Sequence, residues 1–373
     1  MEKNANMRVA VITIYDLMNY GNRLQNYAVI HYLQKQNIKA DTIVLDYNTA
    51  LGKIKRYIKK LLNKPIYVNW SLQQEREEFV RQLSEHEKVK HEKFKDFSYK
   101  YTNIQHKSYI KPGDNHWTND YDYFIVGSDQ VWNPQIDQAK TWEFLCFAPR
   151  GKRISWAASF GVNEIVNPSR TLIEGLAGMD YISVREESGK KIVSEISKKE
   201  AITLVDPTLM LDASEWNKIS QKPSSLYNDE KYILMFFLGK TSDIAKQLAL
   251  DIADKNGYKV IDLLDESSAV YESDPSEFLY LISHAKLVLT DSFHACVFSF
   301  LFNKPFYVYD RNWKHGSMNS RLETLLKKFH LERKYANSGL ENDIWEHNYE
   351  DGYKQLELER QKATDFLKKA LDC

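Results

Sequence analysis

Short apolar runs rich in Val, Ile and Leu alternate along this chain with segments of helical period. That alternation restricts the fold more than any other feature, because a strand joined to the next through a helix-length crossover pairs with it in parallel. The first unit predicts a strand over 8–14, a helix over 22–36 carrying Leu24, Tyr27, Ala28 and Leu33 near helical spacing, and a strand over 42–46. Strands over 121–126, 154–158, 181–184 and 201–205 follow, with helices over 170–176 and 186–196. Asp206-Pro207 reads as a break between halves. Beyond it the rhythm repeats, with strands over 231–238, 259–264, 286–289 and 306–309 and helices over 242–256, 275–284, 294–302 and 321–329. Asp274 followed by Pro275 is a helix-start signal.

At roughly 150 residues per domain, the 373 residues favour two domains. The predicted fold class is α/β, with two facing Rossmann-like domains around a cleft. The expected boundaries are an N-terminal α/β domain over 1–205, a C-terminal Rossmann-like domain over 206–350, and a polar last helix within 351–373 that packs back on the first domain. Residues 51–110 break the pattern and read as a helical insertion. Its first part joins Lys53, Lys55, Arg56, Lys59, Lys60 and Lys64 with Ile54, Ile58, Leu61 and Leu62. This stretch reads either as a surface able to lie on an anionic membrane or as a solvated helix.

Lys+Arg and Asp+Glu both number 51, so no overall basic excess points to nucleic acid and any charged site must be local. Cys146, Cys296 and Cys373 lie too far apart in sequence for a disulfide framework or a clustered zinc site, which suits a reducing compartment. No apolar run approaches the roughly 20 residues needed to span a bilayer, and no signal-peptide core stands near the start. The expectation is a cytoplasmic protein, with peripheral contact at the inner face of the membrane left open. A Walker loop, GxGxxG, HExxH, paired CxxC and G-x-S-x-G are all absent, which argues against dinucleotide binding and several hydrolytic mechanisms.

Ligands of open α/β sheets bind beyond the carboxyl ends of strands. Four segments occupy such positions. In Thr290-Asp291-Ser292-Phe293-His294-Ala295-Cys296 a strand ends, a capping pair follows, and His294 stands in the first helical turn. The helix start attracts an anion, and the imidazole can bond to it or exchange a proton. The alternative is a plain cap at Asp291 or Ser292. Arg185 ends another strand and can fork onto a carboxylate or phosphate, or else pair with Glu186 or Glu187. The loop after the strand over 306–309 brings Arg311 and Lys314, with Arg321 further on. In Gly127-Ser128-Asp129-Gln130-Val131-Trp132-Asn133, Asp129 can take a hydroxyl proton and Trp132 can stack on a sugar, or the segment is a turn with a buried tryptophan.

Taken in order, Asn19-Tyr20-Gly21-Asn22 with Leu24-Gln25-Asn26-Tyr27-Ala28, Gly127 to Asn133, Ser183-Val184-Arg185-Glu186, Val205-Asp206-Pro207-Thr208 and Thr290 to His294 resemble the polysaccharide pyruvyl transferase family. The resemblance implies a fold similar to GT-B glycosyltransferases. It implies transfer of pyruvate from phosphoenolpyruvate onto two hydroxyls of one sugar, in a bacterial-type cell-surface polysaccharide or its lipid-linked precursor, with no cofactor besides the donor. It places Arg185 and His294 on phosphoenolpyruvate and, by a looser match, Lys314; the strand-end reading adds Ser292, Arg311 and Arg321 to the donor and sets Asn22, Gln25, Ser128, Gln130 and Trp132 on the acceptor side. Arg185, His294 and Asp129 are the expected catalytic residues. Ser292 departs from the family, many of whose members carry an arginine there, so Arg311 or Arg321 must replace it or the substrate differs. Competing readings are a nucleotide-sugar glycosyltransferase in the same cleft and a non-catalytic saccharide-binding protein.

Overall fold

The computed structural model describes residues 6–46, 73–108, 115–136, 140–227, 230–311, 320–336 and 344–373. A seven-stranded parallel sheet has the order β3-β2-β1-β4-β5-β6-β7. Its strands are β1 (Arg8–Ile12), β2 (Lys39–Asp46), β3 (Ile104–Ser108), β4 (Tyr123–Gly127), β5 (Arg153–Ala158), β6 (Tyr181–Val184) and β7 (Ile202–Thr203). A second parallel sheet runs β11-β10-β8-β9, from β8 (Tyr232–Phe236), β9 (Lys259–Asp262), β10 (Leu287–Thr290) and β11 (Phe306–Val308). The chain leaves the first sheet at β7 and enters the second at β8. The architecture is thus two parallel α/β units, as the alternation of runs predicts.

Each sheet reverses its winding direction once. In the first, β2 pairs on one side of β1 and β4 on the other. In the second, β9 and β10 flank β8 in the same way. Such switch points open a crevice beyond the strand ends. The helix Tyr20–Lys35 starts at the first crevice, where the Asn19 side chain accepts from the Asn22 backbone N–H at 3.0 Å. The helix Phe293–Leu301 starts near the second, behind the N-cap Ser292.

One apolar core passes between the two units. Tyr20 stacks on Phe278 with centroids 4.6 Å apart, touches Phe94 and Phe236, and donates its hydroxyl to Ser273 O at 2.9 Å. Aromatic area at this junction fixes how the two sheet edges face each other. The last helix, Glu350–Ala370, lies against the first helix and the segment after β7. Arg360 donates to Leu209 O at 2.7 Å and Leu211 O at 3.0 Å, and Thr364 and Tyr32 share a 2.8 Å hydrogen bond.

The insertion differs from its sequence reading. Helices Gln73–Gln82 and Glu85–Tyr101 fit it, but β3 lies within 51–110 and extends the sheet along β2. Its sequence, IQHKS, buries only Ile104, so it carries no apolar alternation to reveal an edge strand. The basic stretch 53–64 lies outside the described residues.

Candidate active site

The carboxyl ends of β4, β6 and β7 converge on Asp206, which follows β7 and caps the short turn Pro207–Met210. Asp206 Oδ1 accepts from Thr208 N at 3.0 Å and Thr208 Oγ1 at 2.7 Å. Its Oδ2 accepts from Ser128 Oγ at 2.6 Å and Arg185 Nη1 at 2.8 Å, and lies 3.8 Å from His294 Nε2. Burial alone would raise this carboxyl's pKa. His294, Arg185 and Ser128 instead hold it well below the usual carboxylate range.

Arg185 is the hub of the cluster. Besides Asp206, its Nη2 lies 3.7 Å from Asp129 Oδ1, and its Cζ sits 4.5 Å from the Phe293 ring centroid. Burial opposes its charge, but Asp206, Asp129 and Glu186 more than offset that and raise its pKa. Arg185 therefore pairs across the sheet edge rather than with its chain neighbours Glu186 and Glu187. Even so, its Nε and Nη2 are buried without a hydrogen-bond partner.

Two further nitrogens share that condition. His294 Nε2 is buried with no hydrogen-bond partner, and so is Arg321 Nε. Arg321 comes from the helix Ser320–Lys328 and is only 7% exposed. Burial, and then the nearby positive charge of Arg185, bring its pKa down to about 10. The His294 imidazole rests directly on the start of the first helix. A Cβ added at Gly21 would stand 1.9 Å from His294 Nδ1, so that position has room only for glycine. Two helix starts, one from each unit, thus meet at this histidine.

The structure brings Asp129, Arg185 and His294 together around Asp206, and buries Arg321 where the charge of Arg185 acts on it. It gives the other expected residues different work. Gln25 donates to Thr13 Oγ1 at 2.7 Å and accepts from Ser128 N at 2.8 Å, tying the first helix to the β4 loop. Asn22 donates to Asp129 Oδ2 at 3.2 Å. Gln130 accepts from Asn133 Nδ2 at 2.6 Å. Trp132 is a correction: it is fully buried against Phe144 and Phe160 and donates Nε1 to Glu143 O at 2.8 Å, leaving no face for a sugar. Ser292 acts as a helix cap, accepting from Ala295 N at 3.5 Å. Arg311 is engaged with Asp291, through Nε to Oδ2 at 3.2 Å and Nη2 to the carbonyl at 3.1 Å. Asp291 in turn accepts from Leu238 N and Gly239 N at 2.7 and 2.8 Å. Lys314 lies outside the described residues.

Asp206 and Arg23 carry more than the sequence suggested. Arg23 is buried over the Tyr15 ring and donates Nε to Asn22 Oδ1 at 3.1 Å; burial lowers its pKa to about 10. For Asp206 a signal existed: an acid, a proline and a threonine directly after an apolar run form a cap at a strand's carboxyl end.

A model of the polysaccharide pyruvyl transferase family matches residues 19–312. No curated protein sequence matches the chain. Among solved structures, UDP-GlcNAc 2-epimerase from Neisseria meningitidis bound to UDP-GlcNAc is similar at TM-score 0.48 and 14% identity, over 97% of this chain and 100% of that one. The glycosyltransferase SnogD from Streptomyces nogalater is similar at TM-score 0.40 and 9% identity, over 98% and 99%. ADP-heptose LPS heptosyltransferase II of E. coli reaches TM-score 0.32 and 11% identity, over 96% and 100%.

Proposed function

The chain belongs to the polysaccharide pyruvyl transferase family, and from that premise we propose that it moves pyruvate from phosphoenolpyruvate onto two hydroxyls of one sugar. One observation carries the donor assignment. Arg185 Nε and Nη2, His294 Nε2 and Arg321 Nε are buried and make no hydrogen bond. An unmade hydrogen bond at a buried donor costs about 1–3 kcal/mol, so a site with several is built for a ligand. Phosphoenolpyruvate brings a carboxylate and a phosphate, both rich in acceptor oxygens. Arg321 takes the place of the arginine that many members carry at the position of Ser292, because it is buried within the field of Arg185, whereas Arg311 is committed to Asp291.

In the reaction, His294 gives a proton to the methylene carbon and C2 becomes electrophilic. A first sugar hydroxyl adds to C2 and loses its proton to Asp129. Phosphate leaves with the C2–O bonding pair as the second hydroxyl adds to C2 and closes the ring. Arg185, Arg321 and, by the family resemblance, Lys314 balance the charge that grows on phosphate. Asp206 keeps Arg185 and His294 oriented toward one point. We assign the reaction to the cytoplasm, where phosphoenolpyruvate is available, on a free or lipid-linked precursor of a surface polysaccharide. The test is phosphate release from phosphoenolpyruvate against a panel of galactosides, mannosides and N-acetylhexosamines, with mass spectrometry for the added pyruvate. Release by the wild type that is lost in His294→Ala is the expected result. Thermal stabilisation by UDP- or GDP-sugars but not by phosphoenolpyruvate would overturn the reading in favour of a glycosyltransferase.

A further inference from the structure

Glu186 has no role in the account so far, yet it is the most confined carboxylate near Arg185. It is fully buried. Its Oε1 accepts from Ser159 Oγ at 3.0 Å, Phe160 N at 2.8 Å and Gly161 N at 3.3 Å. That loop continues into the site, since Ser159 N donates to Asp129 O at 2.9 Å. Three donors therefore fix the position of one oxygen. The other, Oε2, is buried with no hydrogen-bond partner. Its charge acts on both Arg185 and Arg321, the cations of the donor site.

A carboxylate oxygen buried on the residue next to Arg185 and left without a donor is as informative as the orphaned nitrogens, with the sign reversed. It asks for a group that brings a hydrogen. The proposed donor has none to offer, because phosphoenolpyruvate at neutral pH supplies acceptors. The sugar acceptor supplies two hydroxyls. We infer that Glu186 is the second proton acceptor of the ketal-forming reaction, receiving through Oε2 the proton of the hydroxyl that closes the ring, while Asp129 serves the hydroxyl that adds first.

This inference rests on the reading above and deepens it. The balance requires two such losses. Phosphoenolpyruvate and a diol give a cyclic ketal and hydrogen phosphate, with no change in oxidation state. Two C2–O bonds to the sugar form and the C2–O bond to phosphate breaks. Of the two hydroxyl protons, the one taken by Asp129 leaves to solvent between turnovers, while His294 regains from solvent the proton it gave to the methyl carbon. The other passes from Glu186 to the departing phosphate, which lies on the adjacent cations.

The experiment uses Glu186→Gln in the full chain. Glutamine keeps an oxygen for the three donors on the Ser159–Gly161 side but places an NH2 where Oε2 was. The expected outcome is a kcat reduced at least about 100-fold with thermal stabilisation by phosphoenolpyruvate retained. An open adduct should accumulate, detected by mass spectrometry as acceptor plus intact phosphoenolpyruvate. Wild-type enzyme given an acceptor lacking the second hydroxyl should stop at the same kind of adduct. Glu186→Asp, which restores the charge at shorter reach, should recover part of kcat. Wild-type kcat in Glu186→Gln would overturn this inference alone. So would equal inactivity of both variants with no adduct and no stabilisation by phosphoenolpyruvate, which would mark a structural role. Absence of phosphate release by the wild type with every acceptor would remove the donor assignment and this inference together.

Discussion

The β4 side of the cleft and the Arg185 side use their polar atoms in opposite ways. Around β4, Asn22, Gln25 and Ser128 are fully buried and spend their hydrogen bonds on one another, on Asp129 and on Asp206. Around Arg185, His294 and Arg321, buried nitrogens make no hydrogen bond, the carboxylates of Asp129 and Asp206 lying 3.7 and 3.8 Å from two of them. A closed network of buried polar groups holds a shape, because each partner is paired. Buried nitrogens that make no hydrogen bond keep part of their desolvation cost until an acceptor arrives. The comparison separates scaffold from binding surface within one crevice, which residue type alone cannot do.

The largest break in that contrast is Arg185→Ala. It removes the cation between Asp206 and Asp129 and leaves buried carboxylates uncompensated. Unfolding free energy in urea should fall by about 3–5 kcal/mol, and phosphate release should vanish. Next comes the acid limb of stability. The folded pKa of Asp206 is depressed, so its contribution is present above its unfolded value, roughly 3.9, and is lost as pH falls toward the folded value. Urea midpoints measured from neutral pH downward should drop more steeply below about pH 4 in wild type than in Asp206→Asn.

A smaller perturbation sharpens the comparison without emptying it. Gly21→Ala adds a methyl where the His294 ring sits. Alanine is the better helix former by about 0.5–1 kcal/mol, so the fold should survive while kcat falls about 10- to 100-fold. The smallest functional effect is expected from Trp132→Phe. It loses the hydrogen bond to Glu143 O and some packing, for about 1–2 kcal/mol in thermal unfolding, with KM for the sugar acceptor unchanged. A raised acceptor KM would move Trp132 from scaffold to binding surface.

Much of the fold was legible because its elements carry local signals. The Asp274-Pro275 start gives the helix Pro275–His284, and the apolar run Tyr181–Val184 is β6 at its observed bounds. β3 was not legible, since an edge strand with one buried residue has no pattern to read. In the site, His294 and Arg185 announced themselves by standing at strand ends. Arg321 did not stand out so clearly: in SRLETLLKK it is one of several basic residues on an amphipathic helix, and nothing in that pattern marks it as the buried one. Trp132 misled for the converse reason. A tryptophan in a polar loop looks available, yet Phe144 and Phe160, distant in sequence, close over it.

Titration calorimetry with phosphoenolpyruvate, on wild type and on Arg321→Ala, tests the central claim most directly. The account predicts binding to wild type without any sugar present, and affinity at least about tenfold weaker in the variant. Equal affinity in the two proteins, or no binding to wild type at all, would contradict it.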